Sequence, residues 1–321
     1  MKMRKTIAVF MMLCIVLTAC SSSSGDDTAK TYMFVTGRNG GTYYGLGTYM
    51  SAVWDKYLGS TTNVISTSGS VDNIEMLVKG DADIAFVQND ILYYALNGKE
   101  LYEERKQKGL SVLANLYQET VQIVVNSDSE YQTVADLAGK TVAVGKYGTA
   151  TEASARQILE ACGVTYDQIT VKYQTFSEAE KGLMSGSVDA VFVVSSLPSA
   201  SILEYSKTRN VRFLPVTATV ASKLKKSCPF FTDGVIRSEI YDTDTTVSTL
   251  CIDVLLICRS DLSTQSAYNV VSTLFNNLDE LSAGHIKGTE IHTDTAEATK
   301  VGSFHSGAKK YYDEQNSVPA E

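Results

Sequence analysis

Leu77-Val78-Lys79-Gly80-Asp81-Ala82-Asp83-Ile84-Ala85-Phe86-Val87-Gln88 returns 106 residues later as Leu183-Met184-Ser185-Gly186-Ser187-Val188-Asp189-Ala190-Val191-Phe192-Val193-Val194. Leu, Gly, Asp, Phe and Val keep their places, and each copy runs from a helix end through a glycine into an apolar strand. A second match lies upstream: Gly37-Arg38-Asn39-Gly40 against Gly145-Lys146-Tyr147-Gly148, 108 residues apart. Two glycines and a basic residue stand between a strand and a helix in both. The same device at the same step of each half implies two similar α/β lobes.

Working outward, apolar spacing predicts strands over 32–36, 63–67 and 84–87 and a longer extended run over 112–125. Helices are expected over 42–57, with Leu46, Met50, Val53 and Trp54 on one face, and from Ser70 onward through Val71, Ile74, Leu77 and Val78. The pattern restarts with strands over 141–144, 169–173 and 190–194 and helices over 151–162, ended by Gly163, and 177–184. This alternation implies largely parallel sheets flanked by helices. After Pro215 the rhythm loosens through 223–244, then resumes with a strand over 250–258 and helical stretches over 263–281 and 296–315. These last helices have no sheet of their own and are expected to return to the first lobe. Residues 31–119 plus 252–321 then form lobe 1, and 120–251 form lobe 2. The crossovers fall near 117–121 and 251–255 and make a hinge. Asp253, lodged in the second, reads as a strand-end residue facing water.

The 321 residues suffice for two domains, and 44% apolar with 20% charged residues is ordinary for globular chains. A net charge of −8 argues against nucleic acid as a partner. Lys2, Arg4 and Lys5 precede an apolar run over 7–17, too short for the roughly 20 residues that cross a bilayer. Leu17-Thr18-Ala19-Cys20 resembles the lipobox of bacterial lipoproteins. A signal peptide over 1–19, lipid on Cys20 and a flexible tether over 20–30 follow, giving an extracytoplasmic protein anchored to the bacterial cell membrane. Cys162, Cys228, Cys251 and Cys258 show no metal-ligand spacing. Cys251 and Cys258 in one strand would sit roughly 23 Å apart, beyond disulfide reach, so any bridge is long-range and four free thiols fit equally.

Enzyme signatures are missing: neither GxSxG nor HExxH occurs, Gly139-Lys140-Thr141 lacks the rest of a phosphate loop, and Gly45-Leu46-Gly47 lacks a third dinucleotide glycine. His285 and His292, seven apart, lack a third ligand and read as surface or capping residues, and no metal or cofactor is expected. The informative features are the Gly-rich turns, where backbone N–H groups and helix N-termini favour anions, and ligands of open α/β sheets lie beyond strand carboxyl ends. Candidate ligand-binding residues are Arg38, Asn39, Gly41, Thr42, Tyr43, Ser68, Ser70, Gln88, Lys146, Thr149, Thr151 and Ser195. Singly, Ser70 also reads as a helix cap, Tyr43 as a core aromatic, and Arg38 and Lys146 as solvated charges; their convergence favours a cleft. Arg38 and Lys146, one per half-repeat, imply an anionic ligand approached from both sides.

Longer blocks carry a family resemblance. They include Thr36-Gly37 with Gly40-Gly41-Thr42-Tyr43-Tyr44-Gly45-Leu46-Gly47, then Ser66-Thr67-Ser68-Gly69-Ser70-Val71-Asp72-Asn73, then residues 80–88 and 134–145. Asp189-Ala190-Val191-Phe192, Leu197-Pro198, Leu278-Asp279-Glu280 and His305-Ser306-Gly307-Ala308 complete them. Together these blocks resemble the TAXI-type solute receptors of TRAP transporters. The resemblance implies an α/β, two-lobed periplasmic-binding-protein type II (Venus flytrap) fold and no enzyme activity. It implies a monomer that captures a small anionic solute, a carboxylate or acidic amino acid, and hands it to the membrane permease of a TRAP-type, ion-gradient-driven transporter. The alternatives are the binding lipoprotein of an ATP-driven (ABC) importer and a lipid-anchored surface antigen or adhesin.

Overall fold

A computed structural model describes residues 30–317. The expected signal segment, Cys20 and all of the tether but Lys30 lie outside them. The chain opens with β1 (Thr31–Val35), α1 (Thr42–Leu58), β2 (Thr61–Ile65), α2 (Ser70–Lys79), β3 (Ile84–Gln88) and α3 (Asn89–Asn97). β4 (Leu110–Asn126) leads to β5 (Thr141–Ala143), α4 (Ala150–Ala161), β6 (Thr170–Lys172), α5 (Phe176–Ser185) and β7 (Ala190–Ser195). Next come α6 (Ala200–Ser206), β8 (Val211–Phe213), α7 (Ala218–Ser227) and β9 (Phe231–Ile236). β10 (Val247–Arg259) precedes α8 (Thr264–Asn276), α9 (Leu278–Gly284) and α10 (Ser306–Asn316).

The strands follow the order β2-β1-β3-β10-β4-β7-β5-β6, with β8 beside β4 and β9 beside β10. β1 pairs in parallel with β2 and β3, and β5 in parallel with β6 and β7. The two parallel groups are joined by antiparallel β4 and β10, of 17 and 13 residues. Residues 254–258 of β10 pair with β3 while its 247–252 pair with β9; β4 turns to β7 from Thr120 onward. The exchange of partners happens where the long strands lie side by side, with Ile252 opposite Glu119, Asp253 opposite Gln118, and a bulge after Val254.

The internal repeat has a physical basis. Asp83 accepts the Met33 amide of β1 at 2.9 Å, and Asp189 accepts the Thr141 amide of β5 at 2.8 Å. Each acid therefore ties the start of its own strand to the parallel neighbour, satisfying a backbone N–H outside the ladder. Gly80 and Gly186 end α2 and α5 with φ of 83° and 76°, a left-handed turn that glycine adopts without Cβ strain. Six residues later, Phe86 in β3 and Phe192 in β7 are both buried.

Leu46, Met50 and Trp54 of α1 pack with Phe34, Val270, Leu274 and Tyr311, and the Trp54 indole donates to the Val270 carbonyl at 3.1 Å. α8 and α10 thus cover the β1 side. Several expectations differ from this architecture. β2 begins two residues early, which frees 66–69 as a loop before α2. α3 was not expected, and the loosened region contains α7 and β9. The expected helix over 296–315 begins only at Ser306, because Gly302 turns left-handed (φ 80°) and Phe304 bridges to Val112. Asp253 does not face water. It is 4% exposed, because α3 covers this stretch of sheet, and Asn89 and Gln118 donate to it at 3.2 and 3.0 Å. The four cysteines are free thiols, and His285 and His305 accept the Lys287 and Gly307 amides as caps.

Candidate functional site

Helix starts build the site. α1 is preceded by Gly41 and α2 by Gly69 (φ 125°), so no side-chain oxygen takes up their first-turn amides. α4 instead begins at Thr149, whose hydroxyl accepts the Glu152 amide at 3.4 Å. These three helices, two from the first parallel group and one from the second, direct their N-termini at one cavity of about 530 Å³. Each brings unsatisfied N–H groups and a partial positive charge. Two residues hold the loops in place. Asn73, fully buried, donates to the carbonyls of Thr36 and Phe86 at 2.6 and 2.7 Å and accepts from Thr67. Gly145 has φ 90°, and a Cβ there would lie 2.9 Å from the Thr151 side chain.

Nine of the twelve candidate residues line the cavity: Arg38, Gly41, Thr42, Tyr43, Ser68, Ser70, Gln88, Thr149 and Thr151. Asn39, Lys146 and Ser195 do not. Asn39 is exposed on the turn. Ser195 accepts from the Gln122 amide at 3.0 Å and so belongs to the β4–β7 seam. Lys146 pairs with Glu178 at 2.5 Å on the surface. Glu178 is fixed there by the capping box of α5, which accepts the Thr175 amide and hydroxyl; the Lys146 bond and these two hold its carboxyl down at about 2. The expectation of two cations facing one ligand is corrected. Arg38 is the basic residue lining the cavity, and it makes no ion pair among the described residues.

The cavity floor is acidic. Glu119, 9% exposed, lines it where β4 changes partners, and Gln88 donates to its Oε2 at 2.5 Å. Burial pushes its carboxyl up to about 7, opposed by the Gln88 bond and reinforced by Asp90. Asp90 is fully buried; Oδ1 accepts the Ile91 amide, Oδ2 has no partner, and burial pushes it to about 7 as well. The Tyr43 hydroxyl, beside Ser70, is pushed well up by burial and then by Glu119. Glu119 escaped the sequence reading, which weighed polar residues at strand ends. Its signal was a lone acid inside the apolar run 110–126, across from Ile252. Asp72 also lines the cavity, its Oδ2 engaged by the Ser68 amide at 3.0 Å. The set suits binding: helix-terminal donors, one cation and the carboxylates of Asp72 and Glu119 share one lining, without a nucleophile–base pair among the described residues.

Two solved structures share the architecture. PhnD1 from Prochlorococcus marinus (MIT 9301), in complex with methylphosphonate, matches with a TM-score of 0.57 at 11% identity, over 90% of this chain and 99% of that one. The periplasmic sulfonate-binding protein SsuA of a putative sulfonate ABC transporter from Methylobacillus flagellatus KT matches with a TM-score of 0.53 at 13% identity, over 90% and 79%. The fold is therefore that of the periplasmic binding proteins, as expected. The TAXI and TRAP assignment is overturned: the sequence model that fits residues 34–315 is that of another group, and the SsuA neighbour belongs to an ABC transporter. With that match spanning nearly all of the described residues, the chain belongs to the NMT1-like family.

Proposed function

We propose that this chain is the substrate-binding component of an ABC-type importer. It binds a small solute with an anionic group outside the cytoplasmic membrane and presents it to the membrane permease, with no chemistry of its own. The observation that carries this reading is the convergence of three helix N-termini and Arg38 on one cavity beside the long-strand crossover. Micromolar binding needs about 8 kcal/mol. A helix terminus contributes ~0.3–1 kcal/mol when exposed and up to ~2 when partly buried, and a charge-assisted hydrogen bond ~1.5–3. Those contributions approach the requirement only once water is excluded, so closure of 120–251 onto 31–119 plus 252–321 about the crossovers belongs to the same proposal. So does anchorage of a monomer through lipid on Cys20. Thermal-shift screening of carboxylates, sulfonates, phosphonates and amino acids tests the reading. A saturable rise in melting temperature with an anionic member is expected; the lack of any shift across all four classes would overturn it.

A further inference from the structure

The cavity lining carries both signs of charge, and Arg38 with the helix termini accounts for only one of them. Glu119, which lines the cavity, has the carboxylate of Asp90 from α3 close enough to act on it, and both are buried to within a tenth of their surface. Among the described residues no basic side chain hydrogen-bonds either of them. Lys287 is the cation whose charge reaches Glu119, and it is committed elsewhere: it pairs with Glu290 and lies over the Tyr117 ring at 5.5 Å. Gln88 occupies Glu119 Oε2, whereas no donor among the described residues reaches Oε1, and the residue faces the cavity. A glutamine would accept the same bond from Gln88 without the cost of a buried charge. What the carboxyl adds is a group able to carry negative charge on the cavity lining, which it shares with Ile91 and Val194.

We propose that Glu119 is a specificity-determining residue which receives a protonated amino group, so that the ligand is a zwitterion with its acid end at Arg38 and its amine at Glu119. This rests on the receptor reading above. The ammonium would donate to Oε1 and bring the missing positive charge to the floor, the shorter and stronger class of hydrogen bond. The groups facing Glu119 are Tyr43 from α1, Gln88 from β3, Asp90 from α3, Tyr117 two residues before it on β4, and Lys287 from the turn Ile286–Glu290. Of these, Lys287 alone carries positive charge. Because the empty carboxyl holds its proton up to about neutrality, taking up an ammonium below that pH releases a proton.

Calorimetry on the protein with matched pairs tests this: L-glutamate against glutarate, taurine against ethanesulfonate, and 2-aminoethylphosphonate against ethylphosphonate. The expected result is that in at least one pair the aminated member binds roughly 10- to 150-fold tighter, the worth of one charge-assisted bond. Glu119→Gln should abolish that preference. Titration at pH 6 in buffers of different ionisation enthalpy should show proton release with the aminated member only. Equal or tighter binding of the amine-free members overturns the amino-group proposal and leaves the receptor reading standing. Retained preference in Glu119→Gln overturns it too, and failure of every member of all three pairs overturns both. The comparison between ligands uses the unaltered protein, so it stands even if the variant folds poorly.

Discussion

Asp90→Asn should make the protein more stable at alkaline pH and leave it unchanged in acid. Asp90 is fully buried with Oδ2 unpartnered, and burial, opposed by the amides of Ile91 and of Asp90 itself, raises its carboxyl from 3.8 to about 7. Below pH 3.8 both folded and unfolded chains hold the proton, and its contribution to stability is fully present. As pH rises the unfolded chain gives the proton up first, so stability falls until the folded group ionises near pH 7. Some three pH units at 1.36 kcal/mol each set a ceiling of about 4 kcal/mol on that loss. Asparagine does not titrate, and its amide replaces one unpartnered polar group by another. The variant should therefore match the parent near pH 4 and exceed it by about 2–4 kcal/mol at pH 8. Urea unfolding from pH 4 to 8 reads this as a widening gap between midpoints. Parallel curves, or a variant weaker than the parent at pH 8, would refute the assignment of Asp90 as a strained buried acid.

Arg38→Ala should weaken binding of the anionic ligand roughly 10- to 150-fold, whereas Lys146→Ala, which breaks only the exposed pair with Glu178, should change it by no more than a few-fold; calorimetry on both decides, and equal losses would return Lys146 to the site. Saturating ligand should reduce the radius of gyration in small-angle scattering, and an unchanged value would remove the hinge. Cys20→Ala should abolish acylation and release the chain from membranes, and continued partition of the variant with an acylated N-terminus would end the lipobox reading.

The repeat was legible because it encodes a backbone need: Asp83 and Asp189 recur at the position where a strand leaves its neighbour's amide unpaired. The starts of α1 and α4 were legible to within a residue, whereas the cap read at Ser70 is Gly69, and Ser70 Oγ instead accepts the Gln88 amide. Sequence could not reveal which loop cations would be neutralised. Lys146 looks like Arg38 along the chain, and only the packing of α5 brings Glu178, 32 residues away, against it. Glu119 was hidden by its surroundings, because apolar periodicity absorbs a single acid into a strand and says nothing about which face opens on a cavity. The region after Pro215 read as loose because its one strand before β10, the six-residue β9, pairs back onto β10 instead of opening a sheet of its own.

The sheet order carries a consequence for synthesis. β3 and β4 follow one another in sequence, yet β10 lies between them, and its Cys251 meets Thr120 across a separation of 131 residues. The first half therefore cannot close as it emerges from the ribosome; its central slot stays empty until the second half has been made. Loop closure over such a span is slow and entropically costly before the pairing rewards it. A chain ending at residue 246, with every earlier element present, should consequently lack a cooperative unfolding transition, and a sharp one would show that the slot can be bridged without β10. Built this way, the polypeptide has no closed central sheet until its last quarter is made.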